Sequence, residues 1–328
     1  MSGFLLRRLL ACLPTLLGIT LVAFVILNLL PSDPVLTWSE AGVPMSAESQ
    51  ARLRAALGAG RGPAERYSDW LLSVVRLDLG RSLRDARPVQ EVIGEALPWT
   101  ALLNLCAMAA IYGVGLPLGF LGARRPGSQG DRWSRRILLI LFVVPPFAAA
   151  LLMQRLFAVR LGLLPLQGTG LGEATGAARL GSLAEHLVLP VLCLALAAWA
   201  YTTRYARALF RTLFPAGSVA AARARGLSGL RLARHFAPMA ALPFVSILGA
   251  VVPALVAGSV VIEEAFSWPG LGRLLVHAVE GRDYPVVLAL VLLSACAVLA
   301  GQLLVDLAYP ALDPRLREQV APDGSHGG

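Results

Sequence analysis

The sequence predicts an all-α membrane protein that crosses the bilayer about six times, and three observations lead to that fold class. Hydrophobic residues make up 56% of the 328 residues and charged residues only 15%, whereas soluble domains usually carry about 25% charged residues. The mean hydropathy is +0.67, so the chain has more apolar surface than one globular core can bury. Six separate apolar runs are close to the length of about 20 residues that a bilayer-crossing helix needs.

The six predicted spans are Leu9–Leu30, Thr100–Gly122, Ile137–Val159, Leu187–Leu209, Ala240–Ile262 and Val286–Leu307. The first follows Arg7 and Arg8, as the apolar part of a cleaved signal peptide also would. It is longer than the core of about 7–15 residues usual in signal peptides, and no A-x-A-like cleavage site follows it. Because Pro31 and Pro34 end the helix instead, we interpret the run as a retained anchor.

The charges of the short loops predict the orientation. Arginines are concentrated between spans two and three, and at the end of span four and after it: Arg124, Arg125, Arg132, Arg135, Arg136, Arg207, Arg211, Arg223, Arg225, Arg231 and Arg234. Only Asp131 opposes them in the first loop, and no acidic residue lies between Leu187 and Ile262. Since loops rich in arginine stay in the cytoplasm, both termini are predicted to be cytoplasmic. This distribution also explains the net charge of +9 better than nucleic-acid binding does, because no dense basic patch forms.

This topology divides the chain into four parts. Residues 1–30 are the cytoplasmic N-terminus with the first span, and residues 31–99 form an external loop. Residues 100–312 form a five-helix core that carries a cytoplasmic segment at 217–238, and residues 313–328 form a cytoplasmic tail. In the external loop, the stretches Ala47–Leu57 and Tyr67–Leu77 could each form a short surface helix.

The segment 217–238 has the pattern of two short helices separated by a glycine. An alanine-rich turn runs to Arg225, Gly226 breaks it, and Ser228 is placed to cap a second helix. That second helix has an apolar face and a basic face, formed by Leu230, Ala233 and Ala237 and by Arg231, Arg234 and His235. Such a segment suits a groove on another protein, and it equally suits an interfacial helix that rests on anionic lipid headgroups.

A family resemblance favours docking on a protein. The stretch Ala222-Arg223-Ala224-Arg225-Gly226-Leu227, with Leu242-Pro243 further on, resembles the coupling segment of permeases in the dipeptide, oligopeptide and nickel branch of binding-protein-dependent ABC importers. Other landmarks of that branch extend over nearly the whole chain, among them Asp78-Leu79-Gly80-Arg81-Ser82, Phe266-Ser267-Trp268-Pro269-Gly270-Leu271-Gly272-Arg273, Arg282-Asp283-Tyr284-Pro285 and Asp313-Pro314-Arg315. The chain departs from the pattern at Gly217-Ser218, where many members have an acidic-aromatic pair, and at Pro145-Pro146-Phe147-Ala148.

The resemblance implies a permease subunit in a bacterial cytoplasmic membrane that forms half of a path for dipeptides or oligopeptides. The alternative solute is nickel or a metal–chelator complex. The implied partners are a second homologous permease, two cytoplasmic ATP-binding subunits and an external solute-binding protein. The predicted ATPase-coupling residues are Ala222, Arg223, Ala224, Arg225, Gly226, Leu227, Arg231 and Arg234.

Polar residues in the spans are candidates for the pore or gate, because polar groups are costly to place in lipid. Asn104, Gln154 and Gln302 fit either a pore wall or, more commonly, a contact between helices. Glu263 and Glu264 end span five just before the turn at Trp268. The two glutamates fit an outer gate, a contact with a binding protein, or a solvated rim, and Trp268 is a further candidate for the pore or gate.

Covalent chemistry is not expected of this chain. The sequence has no G-x-x-x-x-G-K-[ST] phosphate loop, so ATP is expected to bind to partner subunits, and we predict no cofactor or metal ion in the chain itself. It has no H-E-x-x-H or G-x-S-x-G motif, and Ser259 and His277, the nearest pair resembling a nucleophile and a base, are interpreted as packing and loop residues. A secondary transporter would need ionisable residues facing a pore or an internal repeat, and neither is evident.

Overall fold

The computed structural model describes residues 2–29, 62–172, 176, 178–213 and 216–312. These residues form ten α-helices and no strand, which confirms the all-α fold class. In chain order the helices are α1 (Ser2–Leu29), α2 (Pro63–Val75), α3 (Val89–Arg124), α4 (Gln129–Val143), α5 (Pro146–Met153), α6 (Ala178–Leu213), α7 (Ala216–Ala224), α8 (Gly229–Ala265), α9 (Leu271–Glu280) and α10 (Tyr284–Leu312). The predicted surface helix Ala47–Leu57 and the predicted tail at 313–328 lie outside the described residues.

Several of these helices are long and apolar enough to cross a membrane. Within the described ranges, α1, α3, α6 and α10 meet this criterion, and α4 with the chain that follows it makes a fifth span if the bent pair is counted as one. The predicted fifth span, Ala240–Ile262, lies inside α8. A polytopic membrane protein is therefore confirmed, and the total of six spans stays a prediction.

The third predicted span is broken in its middle. Val144 has extended backbone angles (φ −74°, ψ 119°) and stands before Pro145, which disfavours the helical conformation in the preceding residue. The two halves, Gln129–Val143 and Pro146–Arg160, meet at an angle of 99°. The expectation of one continuous helix over Ile137–Val159 was therefore wrong. After α5 the chain continues as a π-helix at Gln154–Arg160, a form that often occurs at functional sites.

The chain divides into two compact units, and the first comprises Met1–Glu95 and Leu274–Cys296. In this unit α2 packs on α1 through Tyr67, whose hydroxyl is 2.9 Å from that of Thr20 and donates to the carbonyl of Leu17 (3.1 Å). The ring of Phe24 lies 5.3 Å from that of Tyr67. The helix predicted at Tyr67–Leu77 is thus confirmed, beginning four residues and ending two residues earlier than expected.

Asp283 fixes a loop within the same unit. Its carboxylate accepts hydrogen bonds from the hydroxyl of Ser82 and from the backbone amides of Leu83 (3.0 Å) and Arg84 (3.5 Å). Asp283 is buried, with 3% of its surface exposed, so three donors offset the cost of burying its charge. The loop before α3 is held in this way to the residue that precedes α10.

The second unit comprises Ala96–Arg273 and Ala297–Gly328, and its core is formed mainly by α3, α6 and α8. Fully or almost fully buried apolar side chains come from each of these helices, among them Leu103, Ile111, Leu189, Ile247 and Ile262. Close approach of α3 to α6 depends on small residues, because a Cβ atom added at Gly119 would lie 2.8 Å from Cβ of Ala206. Membrane helices usually associate through small residues of this kind. An apolar side chain is as well accommodated by lipid as by another helix, so the hydrophobic effect does not drive helices together in the membrane.

Large apolar side chains are exposed on several helices. They include Leu10, Val22, Ile140, Val143 and Leu304, each with more than half of its surface accessible. An apolar surface of this extent is not stable in water, so lipid or another subunit must cover it.

Candidate functional site

The predicted coupling segment, residues 217–238, contains a glycine-terminated helix with well-defined geometry. Gly226 has a φ of +81°, in the left-handed region that favours glycine. Its amide donates to the carbonyl of Arg223 (2.9 Å), and the amide of Leu227 donates to the carbonyl of Ala222 (3.2 Å). These two bonds form a Schellman motif, which satisfies the last carbonyls of α7. The predicted break at Gly226 is confirmed in position and in mechanism.

The second helix of the segment begins where the sequence predicts it. Ser228 occupies the N-cap position of α8 with extended angles (φ −140°, ψ 163°), but its side chain makes no capping hydrogen bond. Its carbonyl accepts instead from the amide of Arg231 (3.2 Å). The chain therefore turns at 225–228 mainly through the glycine and not through a strong N-cap.

Basic side chains cover the exposed part of the coupling segment. Ala222 is fully buried and anchors α7, and Leu227 is half-buried. The other predicted coupling residues are exposed: Arg223, Ala224, Arg225, Gly226, Arg231 and Arg234. The chain has no acidic residue between Leu187 and Ile262, so this surface presents a positive field to whatever lies beneath it.

A buried carboxylate organises the opposite end of α8. Glu263 is fully buried, and one of its oxygens accepts from the hydroxyl of Thr100 on α3 (2.8 Å). The other oxygen accepts from the amides of Gly272 (2.6 Å) and Arg273 (3.3 Å) at the start of α9. We call Glu263, Thr100, Gly272 and Arg273 the Glu263 cluster. A carboxylate at a helix N-terminus is favoured by the helix dipole as well as by these amides.

Trp268 packs within the turn that leads from α8 to α9. Its indole is fully buried, donates to the carbonyl of Trp99 (3.0 Å) and meets the ring of Trp99 edge-on at 5.6 Å. The turn allows little space, since a Cβ atom on Gly270 would lie 2.5 Å from the Thr100 hydroxyl. The predicted gate residue Trp268 is thus positioned as a packed anchor of the turn.

Gln154 joins the loop after the π-helix to the end of α8. Its side-chain amide donates to the carbonyls of Leu166 (3.2 Å) and Ala265 (2.9 Å), and only 7% of its surface is exposed. Gln167 donates to the same Ala265 carbonyl (3.3 Å), so the chain after the π-helix is pinned against α8. Of the two roles left open for Gln154, these bonds favour a contact between segments.

The remaining predicted pore or gate residues have different surroundings. Asn104 is half-buried on α3, and its side-chain oxygen is buried without a hydrogen-bond partner among the described residues. Gln302 is exposed on α10. The Glu264 side chain is 42% exposed and lies 3.9 Å from Arg273, so the two adjacent glutamates differ: Glu264 has the partly solvated position, and Glu263 does not lie on a solvated rim.

An ion pair at the arginine-rich end escaped the sequence analysis. Asp131, with its side chain 1% exposed, is bound by both terminal nitrogens of Arg207, at 2.6 Å and 2.8 Å. It also accepts from the amide of Gly127 (2.9 Å) and lies 3.4 Å from Arg135. One signal was available: Asp131 is the only acidic residue in its loop, and a lone carboxylate among arginines is commonly paired. The partner could not be chosen among so many arginines.

Comparison with known proteins shows the family to which the chain belongs. Residues 115–318 match the family model described as "Binding-protein-dependent transport system inner membrane component". The chain is 34% identical to the oligopeptide transport system permease protein AppB of Bacillus subtilis (strain 168), over 96% of this chain and 99% of that protein. It is 33% identical to the dipeptide transport system permease protein DppB of Escherichia coli (strain K12), over 97% of this chain and 100% of that protein. The glutathione transport system permease protein GsiC of Pectobacterium atrosepticum is 33% identical, over 97% of this chain and 99% of that protein.

Proposed function

We propose, on the premise that this chain belongs to the family of binding-protein-dependent transport system inner membrane components, that it forms half of the translocation path of a peptide importer. Membership in the family makes the chain a permease subunit whose role is transport. The solute is an inference from similar proteins, whose names specify oligopeptides, dipeptides and glutathione. All three solutes consist of amino acids joined by amide bonds, which favours a peptide over nickel or a metal–chelator complex.

The exposed coupling segment supports a mechanical link to a cytoplasmic ATPase. A short helix that ends in a Schellman turn presents a fixed shape, and four exposed arginines lie on this helix, in the turn and at the start of α8. Fixed shape and positive charge suit a groove with acidic residues on a partner subunit. We therefore assign this segment to ATPase coupling: Ala222, which is fully buried, anchors it, and the residues that would contact the ATPase are Arg223, Ala224, Arg225, Gly226, Leu227, Arg231 and Arg234.

The proposed assembly contains a second homologous permease, two cytoplasmic ATP-binding subunits and an external solute-binding protein. In this assembly the chain lies in the bacterial cytoplasmic membrane with both termini in the cytoplasm, as the arginine-rich loops favour. ATP-driven closure of the ATPase pair would push on the coupling segment. The spans would then rock between outward-open and inward-open states, which bind the solute differently.

Uptake by living cells tests both the solute and the coupling. A bacterial strain without its own peptide and nickel importers would express this chain with its partner subunits, and labelled dipeptide and labelled nickel would be supplied separately. Peptide uptake is expected. Gly226→Pro should abolish it, because proline holds φ near −65° whereas Gly226 has +81°, and proline removes the amide bonded to Arg223.

Gly226→Ala is the matched control for this experiment. Nothing lies within 4 Å of a Cβ atom at this position, so alanine brings only the backbone strain of a positive φ, about 1–2 kcal/mol. Most uptake should therefore survive. Nickel uptake without peptide uptake would overturn the peptide assignment, and normal uptake in Gly226→Pro, at equal membrane levels of the chain, would overturn the coupling role.

A further inference from the structure

A cavity lies between α4 and α6 at the arginine-rich end of the second unit. Its volume is about 210 Å³, and Leu118 of α3 closes one side. One part of the wall is charged, with Asp131, Arg135, Arg204 and Arg207. Three guanidinium groups against one carboxylate leave this part of the wall with a net charge of +2. An anion is therefore the favoured occupant.

The charged groups are not equivalent in what they can offer a ligand. Arg207 is committed to Asp131 by two contacts, at 2.6 Å and 2.8 Å, and only 13% of its side chain is exposed. Arg135 is held nearby at 3.4 Å from the same carboxylate. The guanidinium of Arg204 instead lies 5.4 Å above the centre of the Phe142 ring and forms no ion pair with the described residues. Arg204 is thus the cation best placed to bind an anion.

A second, independent feature of the wall points to a polar ligand. Thr203 lines the cavity and is 5% exposed, yet its hydroxyl has no hydrogen-bond partner among the described residues. A buried hydroxyl without a partner costs on the order of 1–3 kcal/mol. The Thr203 oxygen has less than 1 Å² of accessible surface, so a ligand oxygen in the cavity would remove that cost once the side chain rotates toward it.

The rest of the wall is apolar and leads out to the surface of the helices. Leu139 and Phe142 line the cavity while 58% and 48% of their surfaces are exposed, and Val143 beside them is 72% exposed. The cavity is smaller than the 300–1,000 Å³, roughly, of a site that encloses a whole small molecule. A ligand that fits has a small anionic part inside and an apolar part that continues along α4.

We propose that this cavity binds the phosphate headgroup of an anionic phospholipid, with the acyl chains lying along the exposed apolar side of α4. Basic pockets between transmembrane helices commonly bind such headgroups on the cytoplasmic side. Arg204 and the Thr203 hydroxyl bind the phosphate, and the Asp131–Arg207 pair fixes the distance between α4 and α6 that keeps the cavity open. A free phosphate ion shares the charge chemistry but would not use the apolar wall.

Native mass spectrometry of the full chain, expressed with the subunits with which it assembles, tests this site. Detergent-purified protein would be titrated with phosphatidylglycerol or with phosphatidylcholine of the same acyl chains. Phosphatidylglycerol should bind more tightly. Arg204→Ala should weaken its binding about five- to tenfold, Arg204→Lys should restore part of it, and Thr203→Val should weaken it less.

Arg136→Ala is the matched control, because Arg136 also lies over an aromatic ring, 5.5 Å from the centre of Trp133, but does not line the cavity. It should bind phosphatidylglycerol as the unsubstituted chain does. Equal binding of the two lipids, or unchanged phosphatidylglycerol binding in Arg204→Ala, would overturn the proposal. If inorganic phosphate alone stabilises the protein against heat as much as phosphatidylglycerol does, the proposal is also overturned, because the ligand would then be a free anion.

Discussion

Glu263 and Thr100 are 163 residues apart in the sequence, and a hydrogen bond of 2.8 Å joins the hydroxyl of Thr100 to the buried carboxylate of Glu263. The same hydroxyl accepts from the amide of Leu271 (2.7 Å), and the carboxylate accepts from the amide of Gly272 (2.6 Å). One threonine and one glutamate therefore tie α3, the end of α8 and the start of α9 together. A rearrangement of this end of the second unit must either keep these bonds or break several at once.

The substitution Glu263→Gln should destabilise the protein. The carboxylate accepts from Thr100 on one oxygen and from two backbone amides on the other, and glutamine replaces one of these oxygens with an NH₂ group that faces the donors on that side. The expected loss is about 2 kcal/mol or more, which corresponds to a fall of about 3 °C or more in the unfolding midpoint. Thermal unfolding of the purified chain in detergent, followed by tryptophan fluorescence, measures it.

Glu264→Gln is the control for this prediction, since it makes the same chemical change at the neighbouring position. The side chain of Glu264 is 42% exposed and its contact with Arg273 is 3.9 Å, so the expected change is within about 1 kcal/mol. If both variants unfold at the same temperature, the Glu263 cluster does not stabilise this turn.

Gly272→Ala should separate α9 from α8. A Cβ atom on Gly272 would lie 2.5 Å from the Cα atom of Val260, a backbone atom that cannot rotate away. The helices must shift, and overpacking of this kind typically costs about 1–3 kcal/mol. Gly249→Ala adds the same methyl group at an ordinary 3.5 Å from Val305, so its unfolding midpoint should stay unchanged or rise slightly. Equal destabilisation by both would show that added helix volume, and not the contact at Val260, is responsible.

The pair Asp131–Arg207 should show strong coupling in a double-mutant cycle. Arg207→Met leaves the Asp131 carboxylate buried without its main partner, and a loss of about 3–5 kcal/mol is expected. Adding Asp131→Asn to the Arg207→Met variant removes the unpaired charge and should recover part of that loss. Unfolding midpoints of the two single variants and the double variant give the coupling energy. Additive effects would mean that the two side chains do not stabilise one another.

Local features of the structure were predictable from the sequence. The all-α class followed from six apolar runs, and the turn at Gly226 followed from a glycine after an alanine-rich stretch. The break at Val144 was also readable, because a residue before Pro145 avoids the helical conformation, but the apolar run across Ile137–Val159 concealed it.

Relations between distant residues were not predictable. Glu263 and Glu264 look alike in the sequence, and only the packing of α3 and α9 makes one of them fully buried. Likewise, Arg207 is one of many arginines near the predicted cytoplasmic side, and Asp131 lies 76 residues before it. A single sequence shows which residue types are present but not which of them meet, since helix packing determines the pairs.

Reversing charge on the coupling segment should weaken its binding to the ATP-binding subunits. Arg225 and Arg231 are both exposed, on either side of the Gly226 turn, and replacing both by glutamate changes the local charge by four. Loss of charge complementarity of this size should raise the dissociation constant at least about tenfold and reduce the salt dependence of binding. The binding of purified ATP-binding subunits to the permease in nanodiscs, followed at several salt concentrations, measures the dissociation constant and its salt dependence.

The control is Arg132→Glu combined with Arg136→Glu, which makes the same change of charge in the other arginine-rich loop. The affinity of this double variant for the ATP-binding subunits should stay within about threefold of that of the unsubstituted chain. If the two double variants weaken binding equally, the whole basic surface attracts the ATPase, and the Gly226 turn has no special role in docking.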